Sequence, residues 1–274
     1  MAKKNTAIYV LLIIISVIFL FPVLTVLVNS FKGQFYIADA PFKLPNADTF
    51  AGFDNYIGGI NKTGFLNAFG YSVFITVFSV AVIVLFPAMT SWYIVRVKSA
   101  FTKTLYYLFV LSMVIPFQMV MFTMTKTANF LSLDNPAGII LIYLGFGSGL
   151  SIFMYSGFVK SVPLEIEEAA MIDGCTPLKM FFGIILPIMK PIAITVAILN
   201  AMWIWNDYLL PLLIIGNDYK TIPIAVQYLR GGYGSIDMGA MMALLVLAII
   251  PIVVFYLFSQ KYIIEGVVAG AVKG

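Results

Sequence analysis

Two stretches hold the residues whose types could do chemistry. Residues 161–191 contain Glu165, Glu167 and Glu168, three of the four glutamates, with Asp173 close behind and long apolar segments on both sides. Carboxylates placed there can meet the cationic or backbone donors of a docking partner, or form a solvated connector. Residues 200–208 read Asn-Ala-Met-Trp-Ile-Trp-Asn-Asp-Tyr. Aromatic rings beside amide and carboxylate groups can stack on the C–H face of a sugar and bind its hydroxyls, which makes Trp203, Asn206, Asp207 and Tyr208 candidates for a substrate pathway. The same residues also suit an aromatic belt with a polar cluster that orders helix ends. Asp207 is the one acidic residue that falls within a span, and an ionisable group there is a functional-site candidate.

Histidine is absent, and Cys175 is the single cysteine. That excludes disulfides within the chain, zinc sites and His-based catalysis, and leaves Cys175 as a small loop residue. No Gly-x-x-x-x-Gly-Lys-Ser/Thr phosphate loop occurs. If ATP drives a process here, another chain hydrolyses it. With no nucleophile–base pair, metal-ligand set or dinucleotide fingerprint, the chain reads as non-catalytic, with no cofactor of its own.

The acidic stretch has local signals for a compact knob. Pro163 suits the first turn of a helix, where its missing N–H costs little. The helix is expected over about Leu164–Asp173, with Gly174 as a left-handed stop. Pro177 suits the start of a second short helix, and Pro187 and Pro191 break or kink the chain before the next span. At about 100° per residue, Ile166, Ala169 and Ala170 fall on one side, and Leu164, Glu168 and Met171 on the other. The small side would admit another backbone; the Glu168 side would face a partner.

The order Glu168-Ala169-Ala170, three residues, Gly174, nine residues, then Ile184-x-Leu186-Pro187 resembles the EAA loop of ABC-importer permeases. The resemblance covers essentially the whole chain, and the end of the chain, Gln260–Gly274, is similar to the sugar-permease subgroup typified by the smaller membrane subunit of the maltose importer. It implies a type I ABC-importer permease fold with a cytoplasmic helix-turn-helix coupling loop, an EAA loop that seats on a separate ATPase, and carbohydrate uptake by alternating access. The partners it implies are a second homologous permease, two ATPase subunits that hold ATP and Mg, and an extracytoplasmic sugar-binding protein. The location it implies is a bacterial or archaeal cytoplasmic membrane.

The elements that must position these residues are apolar helices. The chain is 62% hydrophobic and only 10% charged over 274 residues, and its mean hydropathy is +1.02. This is the composition of an all-α integral membrane protein in a lipid bilayer. Charges are scarce because each costs about 2.5–3.5 kcal/mol at a span's centre. The net charge of +4 therefore reflects lipid topology and gives no signal for nucleic acid. Six spans are expected, at about 7–28, 70–95, 104–123, 137–158, 192–215 and 238–259, forming one domain. The first is too long for a signal-peptide core and reads as retained. Pro116 predicts a kink in the third, and Gly145, Gly147 and Gly149 predict a thin, closely packing face on the fourth. Met113, Met119, Met121 and Met124 suit a surface that repacks, or ordinary filling. Residues 29–68 form a long loop, with short helices expected around Phe53–Tyr56 and Thr63–Phe69. Its Asn61-Lys62-Thr63 sequon is read as accidental. The end of the chain is rich in small residues and lightly charged, which suits a segment lying against something.

Six spans put both termini on one side. That side carries Lys3, Lys4, Arg96, Lys98, Lys103, Lys160, Lys179, Lys190, Lys261 and Lys273; the other carries Lys32, Lys43, Lys62, Lys126, Lys220 and Arg230. The positive-inside rule places the termini and the acidic loop in the cytoplasm. Alternatives are an ion-gradient transporter with Asp207 as its ion site, an ABC permease for another polar solute such as glycerol phosphate, and a membrane scaffold without transport.

Overall fold

The computed structural model describes residues 2–216, 218–229 and 237–271. In chain order the helices are α1 Ala2–Asn29, α2 Gln34–Asp39, α3 Asp54–Thr63, α4 Phe65–Arg96, α5 Ala100–Ser112, α6 Phe117–Phe130, α7 Gly138–Val159, α8 Glu165–Ile172 and α9 Pro177–Met180. A π-helical turn, Phe181–Ile185, then leads into α10 Leu186–Ile188, α11 Lys190–Asn206, α12 Leu209–Ile214, α13 Ile222–Gln227 and α14 Met238–Ala271. Among the described residues the only β feature is an isolated bridge between Lys32 and Phe50.

Among the described residues four helices are long and apolar enough to cross a membrane: Ile8–Asn29, Phe65–Arg96, Gly138–Val159 and Met238–Tyr262. Two bent pairs raise the number to six if each is one span. The first pair is α5 and α6, which meet at 106°. Here the expected kink is a full break. Pro116 disfavours helical geometry at the residue before it and cannot donate, so α5 ends at Ser112 and α6 restarts after an extended Pro116 (φ −62°, ψ 137°). The second pair is Pro177–Ile188 and Lys190–Asn206, bent by 77°. The expected fifth span likewise stops at Asn206 and resumes as α12 after Asp207 and Tyr208. The expected helix over Thr63–Phe69 is divided. Gly64, at φ +62°, ends α3, and Phe65 already begins α4. At the other end α14 runs without a break to Ala271, so the expected tail is backbone-helical up to there; residues 272–274 lie outside the described residues, as do 230–236 between the expected fifth and sixth spans.

The chain divides into two compact units. One comprises Met1–Phe69 and Ile222–Val254, the other Gly70–Thr221 and Phe255–Gly274. In the first unit the long loop is folded by side chains that bond the backbone. Asn29 Nδ2 donates to Pro41 O at 3.0 Å, and Asn55 Nδ2 donates to Ser30 O and Lys32 O at 2.8 Å each. Lys32, read from the sequence as a loop charge, is buried, with Nζ on Ala40 O at 2.8 Å. Burial lowers its pKa below the ordinary value.

The second unit is built around α7, which packs on the later part of α4, on α5 and on α11. Tyr155 OH donates to Val84 O at 3.1 Å, and Ser91 Oγ donates to Ile152 O at 3.2 Å. Two of the three expected close-packing glycines are used. A Cβ at Gly147 would lie 2.7 Å from Ile83 Cδ1 and 2.9 Å from Asn200 Oδ1. One at Gly149 would lie 2.8 Å from Met113 Cγ and from Phe109 O. A Cβ at Gly145 would meet nothing within 4 Å, so that position packs against no neighbour. Of the methionines, Met113 touches Gly149 while remaining partly exposed, and Met119 is more exposed still.

Candidate functional site

The acidic knob is seated by Glu167. Its helix, α8, follows the turn after α7 and ends where Gly174 adopts φ +74°. The Gly174 N–H donates to Met171 O and the Cys175 N–H to Ala170 O, both at 3.0 Å. Thr176 then caps α9 by accepting from the Lys179 N–H. Glu167 is 4% exposed. Its Oε1 accepts from Arg96 Nε at 2.7 Å and its Oε2 from Trp92 Nε1 at 3.0 Å. Arg96 also donates through its terminal nitrogen to Val162 O at 3.0 Å. One carboxylate and one guanidinium thus tie the end of α4, the 160–164 turn and α8 together, with both oxygens of Glu167 satisfied.

This differs from the helical-wheel expectation. The inward face of α8 is Glu167 and Ala170, three residues apart, while Ile166 and Ala169 are exposed. The reason lies outside the helix: Arg96 and Trp92 supply donors that make a buried carboxylate favourable there. Glu168 is exposed, as are Leu164, Met171, Ile172 (86%) and Leu178 (62%). A merely solvated connector would not leave that many large apolar groups in the open beside Glu165, Glu168 and Asp173.

The remaining motif residues lie on the far side of the turn. Ile184 and Leu186 are half-buried against the core, and Pro187 is exposed. Pro187 cannot donate to the carbonyl four residues back, and its ring crowds that carbonyl. The chain absorbs the defect in the π-helical turn, where the Leu186 N–H reaches Phe181 O. Phe181 is buried there, with its ring 5.8 Å from that of Trp92. Trp92 therefore touches both halves of the knob.

The second candidate stretch forms the break between α11 and α12. Asp207 Oδ1 accepts from the N–H groups of Leu209 at 3.1 Å and Leu210 at 3.4 Å, and Oδ2 accepts from Tyr143 OH at 3.1 Å. Trp203 meets the buried Tyr143 ring edge-on at 5.4 Å. Asn206 is exposed, its Nδ2 turned back onto Met202 O at 2.7 Å, and Tyr208 is half-buried. The structure thus brings Asp207 and Trp203 together on Tyr143 and shows no contact from Asn206 or Tyr208 to that carboxylate. Around Asp207 lie donors, which suit a carboxylate that orders a helix start; a bound cation would need acceptor oxygens in those positions. Deeper in the unit Asn200, 4% exposed, donates to Ser151 Oγ at 3.3 Å and Val196 O at 2.8 Å, which joins α11 to α7.

Arg96, Trp92, Tyr143 and Ser151 were not legible as site residues. The chain separation is 71 residues for Arg96–Glu167 and 64 for Tyr143–Asp207, so no local spacing pairs them. The one available signal is scarcity, since Arg96 is one of only two arginines. Among the described residues no group of three His, Cys, Asp or Glu could hold a metal ion.

Residues 84–268 match the family described as binding-protein-dependent transport system inner membrane component. The chain is 37% identical over 262 residues to the probable starch degradation products transport system permease protein AmyC of Thermoanaerobacterium thermosulfurigenes, covering 95% of this chain and 94% of that one. It is 38% identical over 271 residues to the multiple sugar-binding transport system permease protein MsmG of Streptococcus mutans, covering 97% and 96%. Its fold matches a chain from the crystal structure of a bacterial ABC transporter involved in import of the acidic polysaccharide alginate, with a TM-score of 0.78 at 20% identity, over 95% of this chain and 96% of that one. The chain belongs to this family of transport permeases and has the type I ABC-importer permease fold expected from the EAA-like pattern. It is a multi-pass membrane protein and the permease subunit of an importer.

Proposed function

We propose that this permease imports carbohydrate and that α8 and α9 are where it is driven. It forms half of a translocation pathway with a second, homologous permease. Two ATPase subunits hold ATP and Mg, and an extracytoplasmic binding protein delivers the solute. Both termini and the knob face the cytoplasm, in keeping with the ten-to-six excess of basic residues on that side. The sugar class rests on the full-length likeness to AmyC and MsmG.

The observation that carries the coupling role is the seat of Glu167. The Arg96 and Trp92 contacts fasten α8 to the end of a 32-residue helix. A push on the exposed apolar and acidic face of α8 is therefore delivered along α4 rather than spent in bending a loop. Glu168 offers charge to the ATPase. Ala170 gives the close inner contact, with Ala169 beside it on the exposed face, and Gly174 sets the turn. Ile184, Leu186 and Pro187 fix the far side. The donors around Asp207 support an ATP-driven rather than an ion-coupled cycle, with Trp203, Asn206 and Tyr208 bordering the same break.

The test is reconstitution with the partner subunits in proteoliposomes loaded with ATP. Uptake of malto-oligosaccharides or another oligosaccharide should require the binding protein and ATP and should survive an ionophore. Uptake that collapses with the ion gradient and ignores ATP depletion would overturn the reading. ATP-driven uptake of glycerol phosphate but of no sugar would overturn the substrate class alone.

A further inference from the structure

A second feature of the same unit has no part in the knob. Between the end of α4, the start of α5 and the end of α7 lies a cleft of about 450 Å³, within the about 300–1,000 Å³ usual for small-molecule sites. Lys98, Lys103 and Lys160 line it, and no carboxylate does. Arg96, the nearby cation with an acidic partner, is held by Glu167 and does not line the cleft.

Two observations make this more than a basic surface. Ser156 lines the cleft from α7 and is only 1% exposed, yet its Oγ has no hydrogen-bond partner. An unpaired buried hydroxyl is costly, and a ligand acceptor oxygen would satisfy it. Ser99 and Ala100 also line the cleft at the start of α5; Ser99 Oγ already accepts the Thr102 N–H at 3.1 Å and Thr102 Oγ1 the Ser99 N–H at 3.2 Å, so the helix start adds its partial positive charge and not a set of free N–H groups. Lys160 Nζ lies 5.7 Å from the centre of the Tyr106 ring, so one wall is both cationic and aromatic. Hydroxyl and ammonium donors facing a space without acids describe a phosphate site. Apolar walls from Ile94, Val95 and Val97 describe a neighbour for acyl chains or a glycerol backbone.

We propose that this cleft seats the phosphate headgroup of an anionic phospholipid of the cytoplasmic leaflet. The proposal rests on the membrane placement given above, with the 96–103 loop at the cytoplasmic border, and not on which solute is carried. Basic pockets between membrane helices on that side are suited to such headgroups.

The test is native mass spectrometry of the assembled transporter from nanodiscs of mixed phosphatidylcholine and phosphatidylglycerol. The wild-type complex should retain phosphatidylglycerol. The triple variant Lys98→Gln, Lys103→Gln, Lys160→Gln should retain on the order of a hundredfold less while holding phosphatidylcholine as before. Ser156→Ala should lower phosphatidylglycerol retention with all three lysines intact. Equal retention by wild type and triple variant overturns the proposal. Displacement of the lipid by excess inorganic phosphate, or phosphate binding in pure phosphatidylcholine discs, overturns the lipid assignment in favour of a free-anion site. The wild-type complex supplies a readout that needs no variant. A photo-activatable phosphatidylglycerol should cross-link within residues 98–106 and 156–160, and cross-links only elsewhere refute the site. Lipid retention is read without transport, so its failure leaves the proposed function standing, and a failure of sugar uptake leaves this result readable.

Discussion

Glu167 and Arg96 are 71 residues apart in the chain and 2.7 Å apart in space, and this contact decides which face of α8 points inward. It is largely buried, so its net worth to stability is small while the cost of halving it is large. Removing one partner of a buried pair costs about 3–5 kcal/mol, because the other charge is stranded.

Glu167→Ala is therefore expected to unseat α8 without disturbing the spans. The complex should still assemble, but solute moved per ATP hydrolysed should fall several-fold. Arg96→Ala should do the same. Replacing both by apolar residues of similar size, Arg96→Met with Glu167→Leu, should recover part of the coupling, since no charge is left buried. Coupling ratios measured in proteoliposomes decide this; a double variant worse than the sum of the singles would show that the charges act beyond the knob's seating.

Gly174 isolates the geometry of the turn from its contacts. Its φ is +74°, and an added Cβ would meet nothing within 4 Å. Only backbone strain opposes substitution, about 1–3 kcal/mol for an unsuited residue. Gly174→Asn should be nearly silent because Asn accepts the left-handed region, whereas Gly174→Val should swing α9 and weaken ATPase retention in a pull-down. Glu168→Lys leaves the turn intact and reverses an exposed charge, so it should weaken the same retention by another route. If Val and Asn behave alike, the turn conformation is not what the partner reads.

Much of this architecture could be read from the sequence, and the failures have a common cause. Gly174 and Pro177 act locally, through backbone preference: Gly174 adopts φ +74° and Pro177 opens α9. Pro116 announces an interruption, but a proline specifies only where a helix stops, and the 106° turn that follows is set by packing. Glu167, Lys32 and Asn200 are polar residues that lie buried because groups on other segments satisfy them: Arg96 and Trp92, the carbonyl of Ala40, and Ser151 of α7. No wheel or window contains that information. Asp207 could be read as part of a polar cluster that orders helix ends, but the end it orders lies at a break hidden within an apolar run.

Asp237 gives a pH-dependent prediction outside the membrane. Burial alone would raise its pKa, but the Lys62 ammonium and the Ala240 N–H outweigh burial, and the carboxyl titrates below its ordinary value of 3.8. A depressed folded pKa means that the ion pair's contribution is present above the unfolded pKa and is lost as pH falls through the folded one. Lys62→Gln should thus lower thermal stability slightly at pH above about 4 and have no effect well below that. Lys62 is 61% exposed on its side chain, so the effect is small and shrinks in salt. Unfolding curves of the purified complex across pH, at low and high ionic strength, would show it; a penalty that grows on acidification contradicts the assigned pairing.

Asp207 separates two roles for a carboxylate in a span. Its oxygens hold the first N–H groups of α12 and the Tyr143 hydroxyl. Asp207→Asn keeps one acceptor oxygen for the amides and loses the match to Tyr143. Tyr143→Phe loses the same bond from the other side while keeping the ring against Trp203. Each leaves a buried polar group short of one partner, a cost of about 1–3 kcal/mol. If the carboxylate orders the helix break, the two variants should match each other: modestly less stable, assembled, and transporting within a few-fold of wild type with an unchanged pH profile. Asp207→Ala should be worse than either, because the α12 amides lose their acceptor as well. If the charge itself binds an ion, Asp207→Asn should abolish uptake while Tyr143→Phe transports normally. Uptake against pH for the three variants, with thermal stability measured on the same preparations, distinguishes the cases. Abolished uptake in the Asn variant at undiminished stability would reject the positioning role.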